Sequence, residues 1–201
     1  MANVSAPIGL VPMGNAGGAA PNFELAQNPS VVIAKTDATV TGYGDLLKKL
    51  SSGYVTRWTA GTAANLMAGV FAGCKYYSIS QQRIVQSHYW PGSDALNDPL
   101  VFMYPITGTI APRFWIQSNS GGPVVFGNVN NNIDLVMGTV NTTNGFSGAM
   151  ADFSTIATTN TLPFHIEGLY SSYQTGVNGS DNTTAYNRII VTANVGALAG
   201  V

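Results

Sequence analysis

Charge is what this sequence has least of. In 201 residues, Lys and Arg together number 8 and Asp and Glu 9, so only 8% of positions are charged, against roughly a quarter in ordinary soluble domains. A free monomer normally carries a dense coat of charged side chains. Here the polar surface has to be built from Ser, Thr, Asn, Gln and Gly, which suits a surface largely covered by protein partners. The net charge is −1 and no basic run exceeds Lys48-Lys49. That balance supplies no basic surface to neutralise a phosphate backbone, so no nucleic-acid partner is expected. No stretch approaches the ~18 apolar residues of a spanning helix, so no membrane partner is expected. The single cysteine, Cys74, excludes an intrachain disulfide and a cysteine metal knuckle. Beside Gly73 it reads as a small buried apolar residue. The opening MANVSAPIGLVPMG has neither a charged nor an apolar signal region, and the expectation is cytosolic synthesis without a secretory signal.

Catalytic signatures are also wanting. Gly145-Phe146-Ser147-Gly148 sets a serine among glycines, but a G-x-S-x-G elbow needs glycine where Ala149 stands; the stretch reads as a turn. His88 and His165 lie in no HxH or HExxH spacing. Glu167 shares a strand face with His165, which reads as a structural hydrogen-bonded pair. The acids are scattered, with Asp94, Asp98 and Asp181 in loops, and no two are placed to flank a glycosidic bond. The loop around Asp181 lacks the EF-hand pattern. Four N-x-[ST] matches, at Asn3, Asn141, Asn178 and Asn182, are taken as chance products of an Asn/Thr-rich chain. Trp58, Trp90 and Trp115 each sit inside an apolar run, which favours core or interface over sugar stacking. No catalytic, cofactor-binding or metal-binding residue is assigned, and no enzyme is expected.

What is present is β chemistry. Residues 69–93, GVFAGCKYYSISQQRIVQSHYWPGS, hold the densest cluster of aromatic and β-branched residues, bounded by glycines at one end and Pro91-Gly92-Ser93 at the other. In the run 83–90, Ile84, Gln86, His88 and Trp90 share one face and Val85, Ser87 and Tyr89 the other. Both faces are mixed, which suggests that both touch something, core on one side and another chain on the other. Strands are expected at 31–36, 53–58, 133–140, 164–170 and 187–194, and a hairpin from 100–107 and 110–117 about Gly108-Thr109. Pro105 and Pro112 mark its strands as edges or bulged. Residues 45–50 fit a strand or one helical turn, and 62–68 a turn or short helix. In 164–170, Phe164, Ile166 and Tyr170 are expected on one face. About ten short strands, turn signals every 8–12 residues and no βα alternation predict an all-β fold, an antiparallel sandwich or barrel of jelly-roll type.

Residues 1–30 read as an extended N-terminal arm, and 31–201 as a single β domain. The arm is rich in Ala, Gly, Pro and Asn but carries apolar anchors, a pattern of a strap that orders on a partner surface. Its removal is expected to leave a folded body. Interface candidates are Leu10, Val11, Met13, Phe23 and Leu25 of the arm, with Tyr89 and Trp90 of the central stretch.

The motifs PIGLVPMGNAGG and FELA, then GVFAGCKYYS, SHYWPGS, STIATTNTLPFHIEGL and YNRIIVTAN, resemble the decoration, or cement, proteins of tailed-bacteriophage heads. GVFAGC and YWPG carry most of the likeness. The resemblance implies a virion protein on the capsid exterior, made in the host cytoplasm and present in many copies. It would clamp junctions between major capsid protein subunits and self-associate as a homotrimer. The alternative is a tail, neck or host-glycan-binding module, using aromatics near Tyr170, Tyr173 and Tyr186.

Overall fold

A computed structural model of the chain describes residues 2–15, 31–106, 112–170 and 181–194. It is all-β, and every pairing between its named strands is antiparallel. One five-stranded sheet runs in the order β1 (Val11–Asn15), β9 (Pro112–Gln117), β14 (Arg188–Ala193), β13 (Phe164–Leu169), β10 (Asn132–Ile133). The other is built on the twelve-residue β5 (Met67–Ser78). Against one edge of β5 lie β3 (Leu46–Lys49) and, further along, β6 (Arg83–Ser87), with β4 (Val55–Arg57) outside β3; β8 (Leu100–Pro105) takes the opposite edge. Two small ladders complete the fold: β2 (Thr41–Gly42) with β7 (Tyr89–Trp90), and β11 (Leu135–Val136) with β12 (Met150–Ala151).

Period-two alternation explains the layering. Leu46 and Val70 face the first sheet and join Phe114, Ile116, Phe164, Ile166, Ile189 and Val191 in the main core. Their neighbours Leu47 and Phe71 face the other way, into a second core with Ile33, Cys74, Trp90, Val101 and Met103. A strand covered on both faces needs apolar residues on both, which is why MAGVFAGC reads as an almost unbroken apolar run. The antiparallel sandwich expected from the sequence is what forms.

Several elements differ from expectation. The hairpin of 100–107 with 110–117 does not form: β8 pairs with β5, and β9 with β1 and β14. Both strands alternate correctly, but alternation says nothing about which partner completes a ladder. Residues 31–36 contribute one bridge, Val32 to Leu100, rather than a strand. The expected strand 133–140 is cut to β10 and β11 around Asp134. The run 83–90 breaks at His88: β6 continues the β5 ladder, whereas β7 leaves to pair with β2. Its even face is therefore split, with Ile84, Gln86 and His88 exposed and Trp90 fully buried. In β13 the register shifts between Ile166 and Gly168. The bulge reverses the alternation, so Leu169 packs on the core and Tyr170 lies beside Trp115 on the outside.

Residues 2–15 lie along the body of this same chain; residues 16–30 fall outside the described set. The Asn3 side chain donates to Thr184 Oγ1 (2.9 Å) and the Asp181 carbonyl (2.7 Å), and accepts from Asp181 N–H. Gln117 accepts from Ala6 N–H and donates to the Val4 carbonyl. At Gly9 the segment crosses the turn before β3. A Cβ there would sit 2.4 Å from the Gly44 carbonyl oxygen, and φ is +79°, so only glycine fits without strain. Leu10 N–H then donates to that carbonyl, and its side chain enters the main core.

Candidate functional site

The residues singled out as interface candidates do not form one surface. Leu10 and Trp90 have no exposed area and are closed to contact with another chain. Leu10 belongs to the main core and Trp90 to the second, where its indole N–H donates to the Asp37 carbonyl (3.0 Å) and its ring meets Tyr76 edge-on. The strand break at His88 turned Trp90 inward. Val11 is half-buried on β1, opposite Trp115. Met13 is exposed and Tyr89 half-buried. Phe23 and Leu25 lie outside the described residues, as does Tyr173 of the alternative reading.

A polar knot that sequence reasoning missed lies where the N-terminal segment, the β2–β3 turn and the loop before β12 meet. Asp45 is fully buried. One carboxylate oxygen accepts from Gly42 N–H (2.7 Å) and pairs with Arg57 Nε (2.8 Å); the other accepts from Ser147 Oγ (2.5 Å) and Arg57 Nη2 (3.0 Å). Arg57 also donates to the Gly138 carbonyl (2.5 Å). Burial pushes the Asp45 carboxyl upward, and Arg57, Ser147 and Gly42 oppose the shift. The serine of the glycine-rich GFSG stretch therefore donates to a carboxylate in a buried clasp; no histidine is among its partners. Arg57 borders an open depression of about 290 Å³ lined by Thr39, Met137, Thr139 and Thr142, but its guanidinium is already committed. The only hint in the sequence was an acid placed directly before the apolar pair Leu46-Leu47.

The expected His165–Glu167 pair is not made. His165 Nδ1 is 3.0 Å from Asn132 Oδ1, and Glu167 pairs with Arg113, because the bulge at 167 displaces the carboxylate from the histidine's row. On the same outer face Trp115 stacks with Tyr170, ring centroids 5.9 Å apart, and Arg188 lies 4.7 Å over the Trp115 ring. Arg188 thus occupies a face that a sugar would need. Tyr186 adopts φ +61° and gives its carbonyl to Gln117.

Among the described residues, exposed apolar side chains gather in two places. Tyr77, Ile79, Ile84 and Leu96 are 38%, 55%, 65% and 52% exposed. Tyr77 lies opposite Ile84, and the 94–96 segment runs along the other side of β5, so the four share one face. Asp94 fixes that segment, accepting from Ser78 Oγ (2.5 Å), Ser80 Oγ and Ser80 N–H, and these bonds hold its carboxyl below the usual range. The second place is the turn before β10, where Val125 and Phe126 are 45% and 80% exposed. It packs beside β13, in the other sheet.

Among the described residues no group of His, Cys, Asp and Glu could hold a metal ion, and no helix is long and apolar enough to cross a membrane. Comparison with known proteins finds no matching family model, and no curated sequence or solved structure with significant similarity.

Proposed function

We propose that this chain is a structural protein that decorates a phage capsid, binding its exterior across junctions between major capsid protein subunits. One observation carries the reading: in a chain with very few charges, the described residues present two separate apolar patches, one on each sheet. A protein that holds two neighbours together needs two adhesive faces. Apolar patches of this kind mark protein–protein contact, and contacts made together gain by avidity. The charge-poor surface supports attachment through apolar area and hydrogen bonds, which salt screens little. The motif resemblance agrees with this assignment. Among the described residues no arrangement of catalytic groups competes with it: the buried contact between Ser147 and Asp45 is tied up with Arg57.

The test is the ratio of this chain to the major capsid protein in purified virions, measured by quantitative mass spectrometry. A copy number of the same order as the shell protein is the expected result. A few copies per particle would transfer the chain to the tail or neck, where the outer-face pair Trp115–Tyr170 would be the first place to look for glycan contact. Absence from the particle would overturn both readings.

A further inference from the structure

Among the described residues β6 ends its sheet. No strand among them adjoins its open side, and β6 is the most exposed strand of its sheet, with Arg83, Ile84 and Gln86 in solvent and Val85 and Ser87 half-covered. Which main-chain groups face outward follows from the hydrogen bonds of β5. Leu96 N–H donates to the Tyr77 carbonyl (3.1 Å) and Ile79 N–H to the Asp94 carbonyl (3.0 Å). At Tyr77 the main chain of β5 therefore points away from β6, so Tyr77–Ile84 is a non-hydrogen-bonded pair, and by alternation Lys75–Gln86 is another. Ile84 and Gln86 consequently direct their own N–H and C=O groups to the open edge.

We propose that a second copy of this chain docks on this edge, β6 against β6, antiparallel about a two-fold axis at Val85. In that register Ile84 faces Gln86 of the second copy and the reverse, which matches outward-pointing residues to each other and closes about four main-chain hydrogen bonds. Arg83 faces Ser87, so no like charges meet. The edge carries none of the devices that block such pairing: no proline, no bulge, and its one charge at the end, bound twice by Gln81. The two exposed faces of Tyr77, Ile79, Ile84 and Leu96 merge into one across the axis. A two-fold pair, in which both partners use the same residues, differs from the homotrimer that the resemblance implies. The proposal stands on the edge geometry and does not depend on the capsid reading.

The experiment is the mass of the purified full chain by sedimentation equilibrium, from ~10 µM to ~1 mM. The expected result is a monomer–dimer equilibrium reaching twice the 21.0 kDa of the chain. Gln86→Pro removes an outward N–H, a substitution an edge strand tolerates, and Ile84→Lys sets two ammonium groups diagonally across the axis. Each should weaken dimerisation at least tenfold with an unchanged circular-dichroism spectrum. Val85→Cys should give a covalent dimer with diamide, because the axial pair approaches to roughly 4.5 Å, whereas the parent chain, with Cys74 buried, should not. A monomer throughout, a trimer, or a dimer that persists in both edge variants would overturn the proposal. Should Gln86→Pro fail to fold, Ile84→Lys and the Val85→Cys cross-link decide it.

Discussion

Trp90 and Ile84 belong to one run of alternating residues, yet one is fully buried and the other 65% exposed. The difference lies in their partners. Ile84 is fixed by the β5 ladder, which leaves its face open, whereas Trp90 pairs with Thr41 beyond the break and drops into the second core. Truncating each should separate the roles. Trp90→Ala is expected to cost ~3–5 kcal/mol, because a large cavity opens in a packed core. Ile84→Ala should stay within ~0.5 kcal/mol, as surface changes do. Urea denaturation of both variants checks this; equal effects would show that the exposure difference has no energetic weight. At the same scale, the Asp45–Arg57–Ser147 clasp shows where a charge-poor chain spends charge. Removing either ionic partner would leave the other's charge largely buried without its counter-charge, so the knot fixes three chain segments together.

At the scale of elements, the N-terminal segment is part of the sandwich over residues 2–15. It supplies the edge strand beside β9, puts Leu10 into the main core, and is held along its length by Asn3 and Gln117. Deleting residues 2–15 is therefore expected to lower the melting temperature, not merely to weaken binding to a shell. The loss of Leu10 alone is of the order of a Leu→Ala truncation, ~2–5 kcal/mol, and the bared edge of β9 would promote association. Calorimetry and size-exclusion chromatography of the truncated chain test this. A truncated protein that melts with the full chain would return the segment to the role of a detachable strap.

For the whole molecule, the doubly covered β5 sheet has a consequence for pH. Burial pushes the Cys74 thiol from its usual 9.0 up to about 12 and the Tyr76 phenol from 10.0 up to about 12, and raises Tyr104 as well. Each group holds its proton more tightly folded than unfolded. Their contribution to stability is full below the unfolded values and is lost as pH rises through the folded ones. The melting temperature should accordingly hold to about pH 9 and fall steadily toward pH 11, and Cys74→Ala should flatten part of that slope. A melting temperature constant across this range would contradict the burial of these groups.

The amino-acid pattern by itself determined the class of the protein. Period-two alternation in β9 and β14, the unbroken apolar run of β5 and the closely spaced turns point to an antiparallel sandwich or barrel, because stacked or closed sheets bury such stripes; the tertiary structure decided for the sandwich. Low charge was equally legible, since it is a property of composition. Pairing was not. β8 and β9 look like a hairpin in sequence and lie in different sheets, because a strand's own residues specify which face is buried but not which edge it joins. The break at His88 and the bulge in β13 each reversed a face by a single residue, and so decided that Trp90 is core, that Tyr170 sits outside with Trp115, and that Glu167 meets Arg113. The open edge of β6, and the burial of Asp45 against residues 12 and 102 positions away, depend on contacts distant in sequence, which only the closed tertiary structure brings together.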